Sequence, residues 1–299
     1  MKNIGIWLRA SRPRTLMLSF SGIMTGGFLA CAADSCNIPV IALCVLTAML
    51  LQVLSNFAND YGDFHSGVDG ADRIGPTREM QSGKVSERAM LRCIVITALL
   101  TLLSGAVLVF VVARLTWQEC AVFAALGLAA LLAAVCYTMG KHPYGYRGLG
   151  DLSCFMFFGP AAVAGTYYLA VRQLDFAVLL PASALGFLSN AVLNINNMRD
   201  VESDRKNGKT SLVVQIGLKK AYLYHVALIA GAFVALTVFV MFQGKDFAAY
   251  VFWMMAPWFA FDLIGIRKTT DLALLDPFLK KQVIKTFLTA LLFGLGMVV

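Results

Sequence analysis

Two stretches of the 299-residue chain carry carboxylates and amides at helical spacing: Asn56, Asn59, Asp60 and Asp63 in the first, Asn194, Asn196, Asn197, Asp200 and Asp204 in the second. Asn56/Asp60, Asn59/Asp63, Asn196/Asp200 and Asp200/Asp204 are each four residues apart, so a continuing helix places each set on one face. Like charges at that spacing destabilise a helix, and Asp or Asn at membrane depth is costly. A divalent cation resolves both problems. Magnesium takes one or two carboxylates and completes its shell with phosphate oxygens and water, so two facing clusters would hold Mg2+ against a diphosphate. Asp60, Asp63, Asp200 and Asp204 are the expected metal ligands and catalytic carboxylates, with Asn59 and Asn196 beside them as ligands or donors at the diphosphate. Arg73, Arg78, Lys141, Arg199, Arg205 and Lys209 stand nearby to neutralise phosphate charge, Arg78 and Lys209 being the chosen diphosphate contacts. Solvated, Asp-capped helix ends would explain one such cluster. Two matched clusters favour site chemistry.

A third loop, 137–151, is aromatic and glycine-rich, with Tyr137, Tyr144 and Tyr146 close to Lys141 and Arg147. Such residues suit a flat aromatic acceptor or an allylic cation, through stacking and cation–π contact. Tyr137 and Lys141 are the expected catalytic pair here, while Tyr144 and Tyr146 also read as an interfacial aromatic belt. His65, His142 and His225 have no ligand spacing, which leaves haem or copper without support.

The elements that must position these groups are membrane helices. Hydrophobic residues make up 59% of the chain and charged ones 14%, with mean hydropathy +0.73. Soluble domains carry roughly 25% charged residues. A soluble globule, a disordered chain and a nucleic-acid-binding tail are all excluded. Apolar runs predict nine spans, at 15–33, 38–58, 90–113, 119–139, 152–171, 176–198, 222–242, 247–266 and 283–299. The basic N-terminus before an apolar run also resembles a cleavable leader, but eight further spans make a retained first helix the simpler reading. With these spans all 25 Lys and Arg except Arg114, Arg172 and Lys245 fall on one side, which predicts a cytoplasmic N-terminus and an external C-terminus. The seven cysteines read as small buried hydrophobes, not as a disulfide framework or a zinc site. Asn-x-x-x-Asp recurs at 59–63 and 196–200, four spans apart. One domain over 1–299 is therefore expected, with pseudo-repeat halves of about 1–140 and 141–270 and a final helix at 283–299.

These motifs resemble those of the UbiA-type intramembrane prenyltransferases, closest to the branch whose acceptor is 1,4-dihydroxy-2-naphthoate. The resemblance is carried by Asn59-Asp60-Tyr61-Gly62-Asp63-Phe64, Arg73-Ile74-Gly75-Pro76-x-Arg78, and Pro143-Tyr144-Gly145-Tyr146-x-Gly148-Leu149-Gly150-Asp151. Phe157-Phe158-Gly159 and Asn194-Ile195-Asn196-Asn197-x-Arg199-Asp200 with Asp204, Gly208 and Lys209 complete it, and Arg12-Pro13-x-Thr15 adds a weaker match. It implies an all-α, nine-transmembrane-helix bundle in the bacterial inner membrane. It also implies Mg2+ on the two aspartate motifs, a polyprenyl diphosphate donor, and decarboxylative prenylation of the naphthoate to demethylmenaquinol, carbon dioxide and diphosphate. The wider superfamily often has another Asp four residues after Asp63, where this chain has Gly67; Asp69 stands two residues on, and its metal role is left open. The alternatives are a sister enzyme acting on another aromatic acceptor such as 4-hydroxybenzoate, and, more remotely, a cation-coupled transporter.

Overall fold

The computed structural model describes residues 2–68, 74–112 and 115–299. Asp69, Arg73 and Arg114 lie outside these residues. A short helix α1 (Lys2–Ala10) leads into Pro13, whose fixed φ suits a first helical turn. Nine helices among the described residues are long and apolar enough to cross a membrane. They are α2 (Pro13–Ala32), α3 (Ile38–His65), α4 (Glu87–Phe110), α5 (Trp117–Cys136), α6 (Gly150–Val171), α7 (Phe176–Arg199), α10 (Leu218–Phe242), α11 (Phe247–Lys268) and α12 (Leu272–Val298). Two short helices, α8 (Val201–Lys206) and α9 (Leu212–Ile216), lie between α7 and α10. The chain is an all-α, multi-pass membrane protein.

Hairpin after hairpin, the helices return to a basic end, where residues 66–68, 74–86, 137–149 and 200–217 gather. The central helices are α2, α7 and α12: α2 packs along α12 and α6, and α7 along α10 and α12. Lipid tails are as apolar as the helices, so close packing rather than hydrophobic burial holds such a bundle together. Small residues permit it. A Cβ on Gly22 of α2 would lie 2.8 Å from the Phe158 carbonyl of α6. Pro160 removes an N–H inside α6, and the helix absorbs the loss in a π turn at Phe157–Ala161. Phe233, Phe239, Phe252, Phe259 and Phe293 fill the core between α10, α11 and α12. By contrast α5 has no fully buried residue along its central stretch and forms the lipid-facing flank of the bundle.

Three expectations need correction. The last span does not begin at residue 283: α12 starts at Leu272, and Lys280, Lys281 and Lys285 lie within it. Lys285 is tolerated there because its ammonium meets Asp262 of α11 at 2.8 Å and lies over the Phe259 ring. Second, α3 continues seven residues beyond the predicted 58, to His65. Third, Cys31 and Cys36 are not separate hydrophobes but form a disulfide at the end opposite the basic loops, beside the Asn37 cap of α3. Cys44, Cys93, Cys120, Cys136 and Cys154 remain free thiols.

Candidate active site

The first carboxylate cluster sits on an overlong helix. The 28 residues of α3 span about 42 Å at 1.5 Å each, against an apolar bilayer core of about 30 Å. The helix begins at Asn37, whose side chain accepts the Val40 N–H, so its surplus length emerges at the basic end. Asn56, Asn59, Asp60 and Asp63 occupy those last turns, and Asp60 and Asp63 are both buried. Gly62 makes room for the neighbouring loop, since a Cβ there would lie 2.5 Å from the Thr138 carbonyl. Through that contact Thr138 donates to the Ala58 carbonyl at 3.0 Å and to Asn59 Oδ1 at 3.1 Å. Asn56 turns the other way, donating to Thr15 and the Ser11 carbonyl, and so anchors the start of α2.

The second cluster is built at a helix break. α7 ends at Arg199, Asp200 leaves helical geometry, and α8 follows directly. The Asp204 N–H still bonds the Asp200 carbonyl at 2.8 Å, which keeps the two carboxylates one turn apart. Gly208, at φ +72°, then reverses the chain and brings Lys209 back to Asp204, Nζ to Oδ1 3.2 Å.

The loop 137–151 joins the two clusters. Tyr146 donates its hydroxyl hydrogen to Asp63 Oδ1 at 2.6 Å, and Lys209 Nζ lies 5.9 Å from the centre of the Tyr146 ring. Arg78 holds the other Asp63 oxygen at 2.5 Å and donates to the Asn59 carbonyl at 2.7 Å. A continuous path therefore runs from Arg78 through Asp63, Tyr146 and Lys209 to Asp204. Burial and the adjacent Asp63 carboxylate push the Tyr146 phenol well above its ordinary pKa, so it stays protonated and donates. Burial likewise raises the Tyr137 phenol, whose ring packs edge-on against Tyr144 at 5.3 Å. Tyr144 is a structural anchor, its hydroxyl donating to the Ala133 carbonyl and lying 2.9 Å from the Ser153 hydroxyl.

Two further basic residues differ in their surroundings. Lys141 is exposed and forms no ion pair with the aspartates. Arg199 faces inward with its guanidinium fully engaged: both oxygens of Asp200 at 2.8 Å, Asn196 Oδ1 at 2.9 Å and Asp276 Oδ1 at 2.8 Å. Asp276, in the first turns of α12, is a site residue that sequence reasoning misses, because 76 residues separate it from Asp200. Tyr146 is missed as a partner of Asp63 for the same reason.

The donor chemistry fits a hard divalent cation. Buried Asp204 Oδ2 has no hydrogen-bond partner in bonding geometry. Desolvation raises the Asp204 pKa although Lys209 opposes the shift, so the carboxylate is under-compensated where it stands. Among the described residues no three His, Cys, Asp or Glu side chains converge into an all-protein cage. Magnesium needs none, because it binds through one or two carboxylates together with phosphate oxygens.

Comparison with known proteins agrees with this geometry. Residues 19–296 match the UbiA prenyltransferase family. The chain is 43% identical over 290 residues to the 1,4-dihydroxy-2-naphthoate octaprenyltransferase of Escherichia coli (strain K12), covering 97% of this chain and 94% of that protein. It is 39% identical to the Haemophilus influenzae protein of the same name, covering 100% of this chain and 97% of the relative. Among solved structures, a UbiA homologue from Archaeoglobus fulgidus bound to DMAPP and Mg2+ superposes with a TM-score of 0.62 at 16% identity, over 98% of this chain and 99% of that one. A UbiA homologue from Aeropyrum pernix K1 gives 0.65 at 17% identity, over 95% and 97%. With two aspartate motifs at one end of a nine-span bundle and a family match over nearly its whole length, the chain belongs to the UbiA prenyltransferase family.

Proposed function

We propose that this protein transfers a polyprenyl group, octaprenyl by the name its relatives share, from the diphosphate to 1,4-dihydroxy-2-naphthoate. The carboxyl group is lost, and the products are demethylmenaquinol, carbon dioxide and diphosphate, a step of menaquinone biosynthesis. The observation that carries this reading is near-full-length identity of 43% and 39% to two 1,4-dihydroxy-2-naphthoate octaprenyltransferases.

Asp60, Asp63, Asp200 and Asp204 would hold Mg2+, with Asn59 and Asn196 beside them. Bound there, the metal neutralises diphosphate and stabilises it as a leaving group. The protein's own residues do the rest. Lys209 and Arg78 stand at the rim of the two clusters as charge partners for diphosphate oxygens. Tyr146 fixes the orientation of Asp63, and Arg199 fixes that of Asp200. Tyr137 presents a buried aromatic face to an allylic cation or to the acceptor ring. Apolar helix walls keep water from the cation, so the naphthoate ring is the nucleophile that reaches it.

The basic end faces the cytoplasm of a bacterial inner membrane, and α12 ends outside. The bias of Lys and Arg supports this orientation. So does the Cys31–Cys36 disulfide at the opposite end, which belongs in an oxidising compartment. The recurrence of Asn-x-x-x-Asp at the ends of α3 and α7 supports a duplication over about 1–140 and 141–270, with α12 added.

The test is product analysis by mass spectrometry, with purified protein in nanodiscs, octaprenyl diphosphate, the naphthoate and Mg2+. The expected product is prenylated, lighter by carbon dioxide, and absent with EDTA. Prenylation of 4-hydroxybenzoate in place of the naphthoate would overturn the acceptor and keep the chemistry.

A further inference from the structure

A carboxylate of α6 at the basic end belongs to neither aspartate motif. Asp151, in the first turn of α6, is buried, with 9% of its surface exposed. Its Oδ1 accepts a hydrogen bond from the Tyr224 hydroxyl of α10 at 3.1 Å, and Asn190 of α7 donates to that hydroxyl at 3.4 Å. Asp63, Asp200 and Asp204 each have an Arg or Lys partner, whereas Asp151 forms no ion pair among the described residues. It also faces the second cluster. Asp151 lines one narrow crevice with Tyr137, Gly150, Asn197, Lys209 and Ser211, which sets it on the same wall as the Lys209 of the second cluster.

A buried carboxylate supported only by neutral donors keeps its basicity, and a carboxylate bound by Arg or Mg2+ loses it. The naphthoate acceptor needs such a base. Attack from C2 on the prenyl carbon is driven by the neighbouring 1-hydroxyl, which must shed its proton as the ring loses aromaticity.

We propose, on the reading given under Proposed function, that Asp151 is the general base of the transfer, with Tyr224 as the residue that positions it. Asp151 takes the proton of the acceptor's 1-hydroxyl, and that O–H pair becomes the C1 carbonyl π bond. The C1–C2 π pair forms the new bond from C2 to the prenyl carbon, and the prenyl C–O pair leaves on diphosphate. The product of this step is a 1-keto-2-carboxylate. Its carboxyl C–C pair returns to the ring as carbon dioxide departs, giving an enolate at C1. The proton held by Asp151 goes back to that oxygen, so the carboxylate is regenerated and no outside acid, oxidant or reductant is required.

The experiment compares wild type with Asp151→Asn, Asp151→Glu and Tyr224→Phe in nanodiscs. General bases contribute roughly 10²–10⁴-fold, so Asp151→Asn is expected to lose at least about 100-fold in kcat, with prenyl diphosphate binding unchanged. The wild-type rate should fall on the acid side as the base is protonated, a limb that Asp151→Asn lacks. Tyr137, Cys154, Tyr224 and Lys209 are the titratable groups around Asp151, and a limb lost with Asp151 alone belongs to none of them. Asp151→Glu is expected to restore part of kcat, and Tyr224→Phe to shift the limb while leaving prenyl diphosphate binding intact. Wild-type kcat in Asp151→Asn overturns the proposal. So does an equal fall in prenyl diphosphate binding and kcat, or an acid limb that survives the substitution. Wild-type protein that binds prenyl diphosphate but turns over no naphthoate overturns the acceptor reading beneath, and the role of Asp151 with it.

Discussion

Tyr146 donates a 2.6 Å hydrogen bond to Asp63 while its ring lies beneath Lys209, the ion-pair partner of Asp204. One side chain thus touches both halves of the site. Hydrogen bonds to charged groups are worth about 1.5–3 kcal/mol. Tyr146→Phe is therefore expected to lower kcat/KM for the prenyl diphosphate by about ten- to a hundredfold with the fold intact. Steady-state kinetics and a thermal melt on the same preparation check it, and an unchanged kcat/KM would show that Asp63 needs no such tether.

Asp63→Ala and Asp200→Ala should each abolish turnover and leave folded protein in the membrane. Removal of either carboxylate also strips Arg78 or Arg199 of a charge partner. The conservative Asp63→Asn and Asp200→Asn should accordingly retain more thermal stability than the alanines, yet remain inactive and bind Mg2+ more weakly. Wild-type activity in any of the four would sink the metal assignment.

The Lys285–Asp262 pair predicts a non-additive result. Breaking a buried pair by removing one partner costs about 3–5 kcal/mol, whereas replacing both with apolar groups is often neutral. Lys285→Met alone should destabilise the protein in detergent by about that amount. Lys285→Met with Asp262→Leu should recover most of the loss. A double variant as unstable as the worse single one would mean that the pair has a polar role apolar packing cannot replace.

Intact cells should give Cys31 and Cys36 no label from a membrane-impermeant maleimide until an impermeant reductant is added. Labelling of both thiols after reduction fits the proposed external position of that end. Protection that persists after external reduction would reverse the orientation.

The polar face at the end of α3 was legible, because polar residues four apart after an apolar run imply a continuing helix, but its stop at His65 was not, since the apolar run itself ends at 58. The start of α12 was not. Lys280, Lys281 and Lys285 break the apolar run, and what makes Lys285 acceptable, Asp262, stands on another helix where composition does not reach. Sequence proximity likewise does not show that Lys141, near Tyr137 in the chain, is exposed on its loop, or that Asp276 enters the site from 76 residues beyond Asp200. The Cys31–Cys36 pair was hidden by its own neighbours, since Leu29, Ala30, Ala32 and Ala33 make Cys31 look like one more small hydrophobe. Local periodicity carried the elements and the two motifs. The contacts that orient those motifs are long-range, and no local pattern encodes them.

The surplus turns of α3 also decide how substrates meet. Because the carboxylates sit just above the apolar layer, a donor keeps its tail dissolved among acyl chains while its head is read in the aqueous boundary. Encounter is then a lateral search within one leaflet, and the rate follows the donor's surface density, not its bulk concentration. The prenylated quinol, having lost both a charged head and a carboxylate, sinks from that boundary into the layer where its tail already lies.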